Sequence, residues 1–354
     1  VNFNRNERKF VVTRTADFND DSGSPAFRDI GVSVLEAHPH IEQRVFRDFR
    51  SSIEPEQIGD AQGVIVMAPA VTARSVSQPD SLLVMARFGV GYDNVDVKAC
   101  TAADVLVTIT VGAVDRPVAE ATVGWMIALG HNMRIKDRLV RTGQWNERSK
   151  YMGCELRDRT LGVIGFGRIA RKTIELLRGF GMKQPLAFDP HADSALAQSE
   201  GVRLVSLPEL MAEADFISIH CPLTEETRGL IGARELALMK PNAYLLNTAR
   251  GGIVDENALY ETLKHRRIAG AALDCFNEEP ILTPHRFGDL DNVLLAPHSI
   301  AWTNESFRDM GRATCQFMVD LSLGVKPQGV LNPELFDRPS FKAKWKRFQK
   351  IQAS

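Results

Sequence analysis

The sequence lacks the features that would set a protein apart from ordinary globular enzymes. Its 354 residues include five cysteines, Cys100, Cys154, Cys221, Cys275 and Cys315, an odd number without Cys-x-x-Cys spacing. That pattern argues against a disulfide framework or a zinc site, and for a reducing compartment. Neither charge sign dominates, with 43 basic against 44 acidic residues. No nucleic acid and no membrane surface is therefore expected as a partner. No stretch approaches the roughly 20 apolar residues of a membrane span, and the opening VNFNRNERKFVV has no apolar core of signal-peptide type. The expected location is cytoplasmic. Hydrophobic residues at 44% and charged residues at 25% are ordinary, and the length allows two domains.

The most informative stretch is TLGVIGFGRIA, Thr160 to Ala170. An apolar run, Leu161 to Ile164, breaks into Gly165-Phe166-Gly167 and resumes as a helical pattern through Ile169, Ala170, Ile174 and Leu177. Strand, tight turn and helix in this order suit a dinucleotide. Gly165 serves the turn, Gly167 lets a diphosphate approach the main chain, and the helix N-terminus offers free N–H groups. A second run, Pro185 to Phe188, ends in Asp189, where a carboxylate can accept from a ribose and repel a 2'-phosphate. NAD is expected over NADP, although Arg168 and His191 lie near.

Along the chain, strands are expected at Phe10 to Thr13, Gly63 to Met67, Leu82 to Ala86 and Val105 to Thr108. Asp17 to Pro25 reads as a loop, and Val32 to Leu35 is a further apolar run. His38-Pro39-His40 is a loop rather than a metal site. Arg87 to Asp96, with Gly89 and Gly91, reads equally as an anion-binding nest or as a plain loop. Asp115-Arg116-Pro117 starts a long helix that is apolar on more than one face and suits a domain junction or subunit interface. Beyond Asp189 come strands at Val202 to Val205, Phe216 to His220, Ala243 to Leu246, Ile268 to Leu273 and Val293 to Ala296. Between them lie helices at Leu207 to Ala214, capped by Ser206, at Ala233 to Met239 and at Asp255 to Arg267. Alternation of this kind implies a parallel sheet covered on both faces, with ligands at the carboxyl ends of its strands.

Three polar residues fall at such ends: Arg250 in NTARGG, Glu279 in CFNEEP and His298 after VLLAP. Each has a structural explanation alone, but together they suit reduction of a 2-keto acid. A forked guanidinium can clamp the carboxylate and polarise the keto oxygen. A histidine titrating near neutral pH can supply the proton, and a carboxylate bonded to it would orient it and raise its pKa.

The motifs GVGYDNVD, GVIGFGRIA with Asp189, CPLTEETRGLI, LMKPNAYLLNTARGGIVDENAL, AALDCFNEEP and LLAPHSIA occur in order along the chain. In this the sequence resembles the D-isomer-specific 2-hydroxyacid dehydrogenases. The resemblance implies a catalytic set of Arg250, Glu279 and His298. It also implies NAD contacts at Gly165, Gly167, Arg168, Ile169, Asp189, Cys221, Pro222, Thr227, Thr248, Ala249, Arg250, Asp274 and His298. The substrate, a small 2-keto or 2-hydroxy acid, would be held by main-chain groups of Val90 and Gly91 with Arg250 and His298. No metal is implied.

The architecture so implied is α/β, a doubly wound Rossmann cofactor domain at 116–300 inserted in a smaller flavodoxin-like substrate domain, 1–115 plus 301–354. The active site would lie in the cleft between them, and the protein would be a homodimer joined through the cofactor domain and the long helix. A hydroxypyruvate or glyoxylate type of substrate is expected. The alternatives are a phosphoglycerate type, with Arg74, Arg87 or Trp302 near its phosphate, and a non-catalytic NAD sensor of corepressor type. The tail, with Lys342, Lys344, Lys346, Arg347 and Lys350 among Phe341, Trp345 and Phe348, is expected either as an amphipathic arm on the partner subunit or as a solvated end. It is too short for an added regulatory domain.

Overall fold

The computed structural model describes residues 9–20 and 22–349. The opening VNFNRNER, Asp21 of the first loop and Lys350 of the basic tail lie outside the described residues. The chain divides into two compact units, Val1–Val114 with Thr303–Ser354, and Asp115–Trp302.

In the first unit the strands are β1 (Phe10–Arg14), β2 (Ile41–Val45), β3 (Gly63–Val66), β4 (Val84–Arg87) and β5 (Leu106–Ile109). They form one parallel sheet in the order β2-β1-β3-β4-β5, the flavodoxin-like arrangement. Both faces are apolar, as a sheet covered on two sides requires. Phe10, Val12, Ile65, Val84 and Leu106 enter one core, while Val11, Val64, Val66, Met85 and Val107 enter the other. The run at Val32 folds as a single helical turn, Ser33–Glu36, and a strand not expected from the sequence follows at Ile41–Val45. Its sequence, IEQRV, buries only Ile41, so an edge position hides its periodicity. His40, in the turn before it, bonds through Nε2 to Ser322 Oγ at 2.9 Å, a structural role.

The returning segment begins with the helix Asn304–Ser322, capped by Thr303 Oγ1, which accepts from Ser306 N–H at 3.0 Å. The chain then lies antiparallel along β5 at Thr108 and Val330. There Ile109 N–H donates to Gly329 O at 3.0 Å and Leu331 N–H to Val107 O at 2.9 Å. The buried Asn332 completes this seam, accepting from Val107 N–H at 2.9 Å and donating to Val105 O at 3.0 Å. An edge that would otherwise offer free backbone groups is thereby covered.

The basic and aromatic tail is neither a partner-seeking arm nor a solvated end. Its helix, Pro339–Lys346, places Phe341, Trp345 and the following Phe348 in the core that holds Phe10 and Leu83. Trp345 Nε1–H donates to Leu321 O at 2.8 Å. Lys342 and Lys346 face solvent, but Lys344 is buried and donates to the carbonyls of Leu82 at 2.8 Å, Pro79 at 3.1 Å and Ala103 at 3.4 Å. Burial lowers its pKa to about 8, with the charge of Asp104 acting the other way.

The second unit contains β6 (Leu161–Ile164), β7 (Leu186–Phe188), β8 (Arg203–Leu204), β9 (Phe216–Ile219), β10 (Tyr244–Asn247), β11 (Gly270–Leu273) and β12 (Val293–Leu295). All are parallel, in the order β12-β11-β10-β9-β6-β7-β8. The order reverses between β6 and β9, the switch point at which doubly wound sheets bind ligands. Ile164, Ile217, Leu245 and Leu273 fill one face, and Val163, Phe216, Leu246 and Ala272 the other. The long helix, Asp115–Gly130, joins the second of these cores through Trp125 and Met126 beside Ala170 and Ile174. The expected cap at Ser206 is present, its hydroxyl accepting from Glu209 N–H at 3.4 Å. The helix Met133–Arg141, absent from the sequence reading, buries only Ile135 and Leu139. Among the described residues no helix is long and apolar enough to cross a membrane.

Candidate active site and cofactor turn

After β6 the chain turns through Gly165-Phe166-Gly167 into the helix Arg168–Leu176. Gly165 has φ +91°, and a Cβ there would sit 2.7 Å from the backbone nitrogen of Cys221, beyond β9. Only glycine fits. At Gly167 a Cβ would meet nothing within 4 Å, so the space in front of this turn is open. Asp189, just past β7, accepts from Phe166 N–H through Oδ2 and from His191 N–H through Oδ1, each at 2.8 Å. Each oxygen keeps capacity for another donor, such as a ribose hydroxyl. The Arg168 guanidinium turns to Asp115 at 2.7 Å, leaving its main chain and that of Ile169 at the helix start.

Beyond β9, Cys221 and Pro222 open a loop that Thr227 closes. The Thr227 hydroxyl donates to Pro222 O and accepts from Thr224 N–H, both at 2.7 Å. Burial pushes the Cys221 thiol up to about 11. Past β10, Thr248 Oγ1 is buried without a hydrogen-bond partner. A buried, unpaired hydroxyl at a strand's carboxyl end needs an explanation, and a ligand supplies one. An open glycine cradle, an acid with spare acceptor capacity and an orphaned hydroxyl together fit a dinucleotide.

The turn after β10 is shaped by Asn247, which is buried and which the sequence reading overlooked. Its Oδ1 accepts from Ala249 N–H at 3.0 Å and its Nδ2 donates to Arg250 O at 2.8 Å. The Arg250 side chain donates from Nη1 to Ala249 O at 2.7 Å. After β11 the buried Asp274 accepts from Ser299 N–H at 2.9 Å and from Ile300 N–H at 3.2 Å. Burial raises its pKa against the pull of these two bonds. The same bonds tie the end of β11 to the segment after β12, where His298 sits.

His298 has φ +53°, a left-handed conformation uncommon outside glycine. Its Nδ1 lies 2.6 Å from Glu279 Oε2, and Glu279 Oε1 accepts from Phe276 N–H at 2.8 Å. Burial pushes the Glu279 carboxyl up. The His298 bond, the Phe276 N–H and the charges of His298 and Arg250 outweigh it and hold the group below the usual carboxylate value. Arg250, past the end of β10, is near enough for its charge to act on Glu279. Glu256, also overlooked, positions the loop between them by accepting from Asn277 N–H at 2.6 Å.

Val90 and Gly91 belong to the other unit, in the turn after β4. There Gly89 has φ +139°, and the Arg87 guanidinium donates to Gly91 O at 2.8 Å and to Phe88 O. Among the described residues, the N–H groups of Val90 and Gly91 donate no hydrogen bond.

Residues 123–299 match the family described as D-isomer specific 2-hydroxyacid dehydrogenase, NAD binding domain. The chain belongs to this family. Among such dehydrogenases, D-3-phosphoglycerate dehydrogenase of Methanocaldococcus jannaschii is 39% identical over 284 residues, which cover 78% of this chain and 53% of that one. Glyoxylate reductase of Thermococcus litoralis is 36% identical over 279 residues, 77% of this chain and 83% of that one. The chain thus spans about half the length of the first relative and most of the second. The solved structure of D-lactate dehydrogenase from Aquifex aeolicus complexed with NAD and lactic acid superposes with a TM-score of 0.76 and 27% identity, covering 88% of this chain and 96% of that one. The cofactor of this dehydrogenase family's domain is NAD, and the 115–302 unit carries that domain.

Proposed function

We propose that the protein interconverts a small 2-keto acid and its D-2-hydroxy acid with NAD, and that hydroxypyruvate or glyoxylate is its type of substrate. The observation that carries this reading is the 2.6 Å contact between His298 Nδ1 and Glu279 Oε2, beside Arg250 at the carboxyl rim of a dinucleotide-binding sheet. NAD, when bound, supplies or accepts the hydride. Gly165, Gly167, Arg168, Ile169, Asp189, Cys221, Pro222, Thr227, Thr248, Ala249 and Asp274 hold it.

The guanidinium of Arg250 pairs with the substrate carboxylate and polarises the keto oxygen. With Nδ1 held by Glu279, His298 presents Nε2 to that oxygen and delivers its proton there. In the reverse direction the neutral ring takes the hydroxyl proton. Glu279 fixes the ring's orientation and offsets the positive charge of its protonated form. The free N–H groups of Val90 and Gly91 suit a carboxylate.

Two arginines considered for a phosphate, Arg74 and Arg87, are engaged by neighbours among the described residues, which favours an unphosphorylated substrate. The residues after β3 are Met67, Ala68, Pro69 and Ala70, Arg87 is bound to its own turn, and Arg74 pairs with Glu54 at 2.5 Å. The similarity to glyoxylate reductase over most of that protein's length agrees. A phosphorylated hydroxy acid is the second reading, on the similarity to phosphoglycerate dehydrogenase. We place the protein in the cytoplasm as a homodimer. Met133, Val140, Trp145 and Met152 give one stretch of the cofactor unit an exposed apolar surface suited to a second copy.

The test is oxidation of NADH and of NADPH against glyoxylate, hydroxypyruvate, pyruvate, phenylpyruvate, 2-ketoglutarate and phosphohydroxypyruvate. Fast turnover of glyoxylate or hydroxypyruvate with NADH is expected. Preference for phosphohydroxypyruvate selects the second reading, and tight NADH binding without turnover of any compound sinks both.

A further inference from the structure

Cys275 stands between Asp274 and the loop that carries Glu279, and the reaction proposed above gives its thiol no task. The thiol is buried, yet its sulfur lies with a Glu279 carboxylate oxygen and a His298 ring nitrogen in a cluster whose ligand atoms are all within 4.8 Å of one another. Thiolate, imidazole and carboxylate are the three donor types that zinc takes from proteins. The ligands come from three positions, 275, 279 and 298, so no Cys-x-x-Cys spacing announces them in the sequence.

Geometry supports one ion at this point. Donors about 2.0–2.3 Å from a tetrahedral ion lie roughly 3.3–3.8 Å from one another. The His298–Glu279 pair must open from 2.6 Å to reach that spacing. Both side chains are partly exposed, at 43% and 33%, so they can rotate. Cys275 is buried just past the end of β11, and the exposed side of Glu279 and His298 leaves a fourth position open to water.

We propose that Cys275, Glu279 and His298 form an inhibitory site for a thiophilic divalent cation of the zinc type. The site competes with catalysis because the two uses of His298 exclude each other. On metal binding the thiol proton and any proton shared by His298 and Glu279 leave to solvent, and three bonds to the ion form. Glu279 no longer orients the ring. With Nδ1 bound to the ion, the ring has no acidic proton to deliver from Nε2. The consequence for turnover rests on the proposed role of His298, whereas the metal site itself does not.

The experiment uses the full chain and two probes. Cobalt(II) is added without NADH, and a thiolate-to-cobalt charge-transfer band is sought in the near ultraviolet. Zinc is then titrated into NADH oxidation with whichever keto acid turns over. The wild type should show the band and lose activity as zinc is added. Cys275→Val, which keeps the volume of a buried apolar side chain, should lack the band and keep turnover within about twofold. It should also require at least ten times more zinc for half inhibition, while Cys154→Ser behaves as wild type. Absence of the band in wild type, or equal zinc sensitivity in Cys275→Val, overturns the site. Lack of turnover with every keto acid overturns the functional reading instead, and the cobalt band still decides the metal site.

Discussion

Two turns in this molecule are spelled alike, Gly89-Val90-Gly91 after β4 and Gly165-Phe166-Gly167 after β6, yet they are braced by groups of opposite charge. Around the first, the bracing group is a cation: Arg87 grips the carbonyls of Phe88 and Gly91, and among the described residues the N–H groups of Val90 and Gly91 donate no hydrogen bond. Around the second it is an anion: Asp189 takes the Phe166 N–H and remains able to accept more. The tolerance of the two turns also differs. The nearest atoms to a Cβ on Gly89 belong to the end of the flexible Arg87 side chain, whereas one on Gly165 would strike the backbone of Cys221. Glycine spacing therefore announces a turn, and the charge beside it sets which backbone groups are already engaged.

The sharpest break is expected outside both turns. Arg250→Ala removes the proposed clamp on the substrate carboxylate and should lower kcat/KM by about 10³-fold, about 4 kcal/mol. NADH affinity, measured by fluorescence titration, should stay within threefold. Near-normal turnover would refute the clamp. Next in size is the glycine pair. Gly165→Ala combines a disfavoured φ with a backbone collision and should cost about 3 kcal/mol in urea denaturation. Gly89→Ala, against a movable side chain, should cost about 1–2 kcal/mol, and equal costs would erase the distinction.

A smaller pair of effects concerns ligands. Asp189→Ala should weaken NADH about tenfold, one lost charged hydrogen bond, and leave the KM for the keto acid unchanged. Arg87→Met should do the reverse. If both variants moved the same parameter, the division of labour between the turns would be wrong.

The smallest effects follow pH. Glu279 has its folded pKa below the unfolded value, so its contribution to stability is present above about pH 4.5 and is lost as pH falls through the folded value. Lys344 acts with the same sign in a higher window, because burial penalises its charge whereas hydrogen bonds stabilise that of Glu279. Its folded pKa of about 8 lies below the unfolded 10.5, so between these values the unfolded chain binds more protons and stability rises with pH. Denaturation at pH 7 and pH 10 should therefore show a gain in wild type over Lys344→Met, whose own pH response lacks this part.

Much of this was legible in the sequence because the decisive signals are local. The run Leu161 to Ile164, the two glycines and Asp189 lie within one strand-turn-helix-strand passage, and Arg250, Glu279 and His298 each close an apolar run. What stayed hidden depends on neighbours distant in the chain. Ile41–Val45 has no strand pattern because an edge strand buries little. Asn247 looks like the polar end of YLLN until its amide is seen to shape the next turn. The aromatic residues of the tail have helical spacing, but spacing does not say which core receives them. Cys275 differs from the other buried cysteines only in what stands beside it.

The seam at Asn332 bears on the order of events at the ribosome. The amide of Asn332 and the ring of Trp345 finish a sheet whose first strand began more than three hundred residues earlier. Strands β1 to β5 are synthesised first, but the core on one face stays open until Asn304–Ser322 and Pro339–Lys346 have emerged. Residues 115–302 form their own cores without help from later chain. Synthesis from the N-terminus therefore completes the inserted unit before the unit that encloses it in sequence. In the interval, the first five strands are the part of the nascent chain most in need of a chaperone.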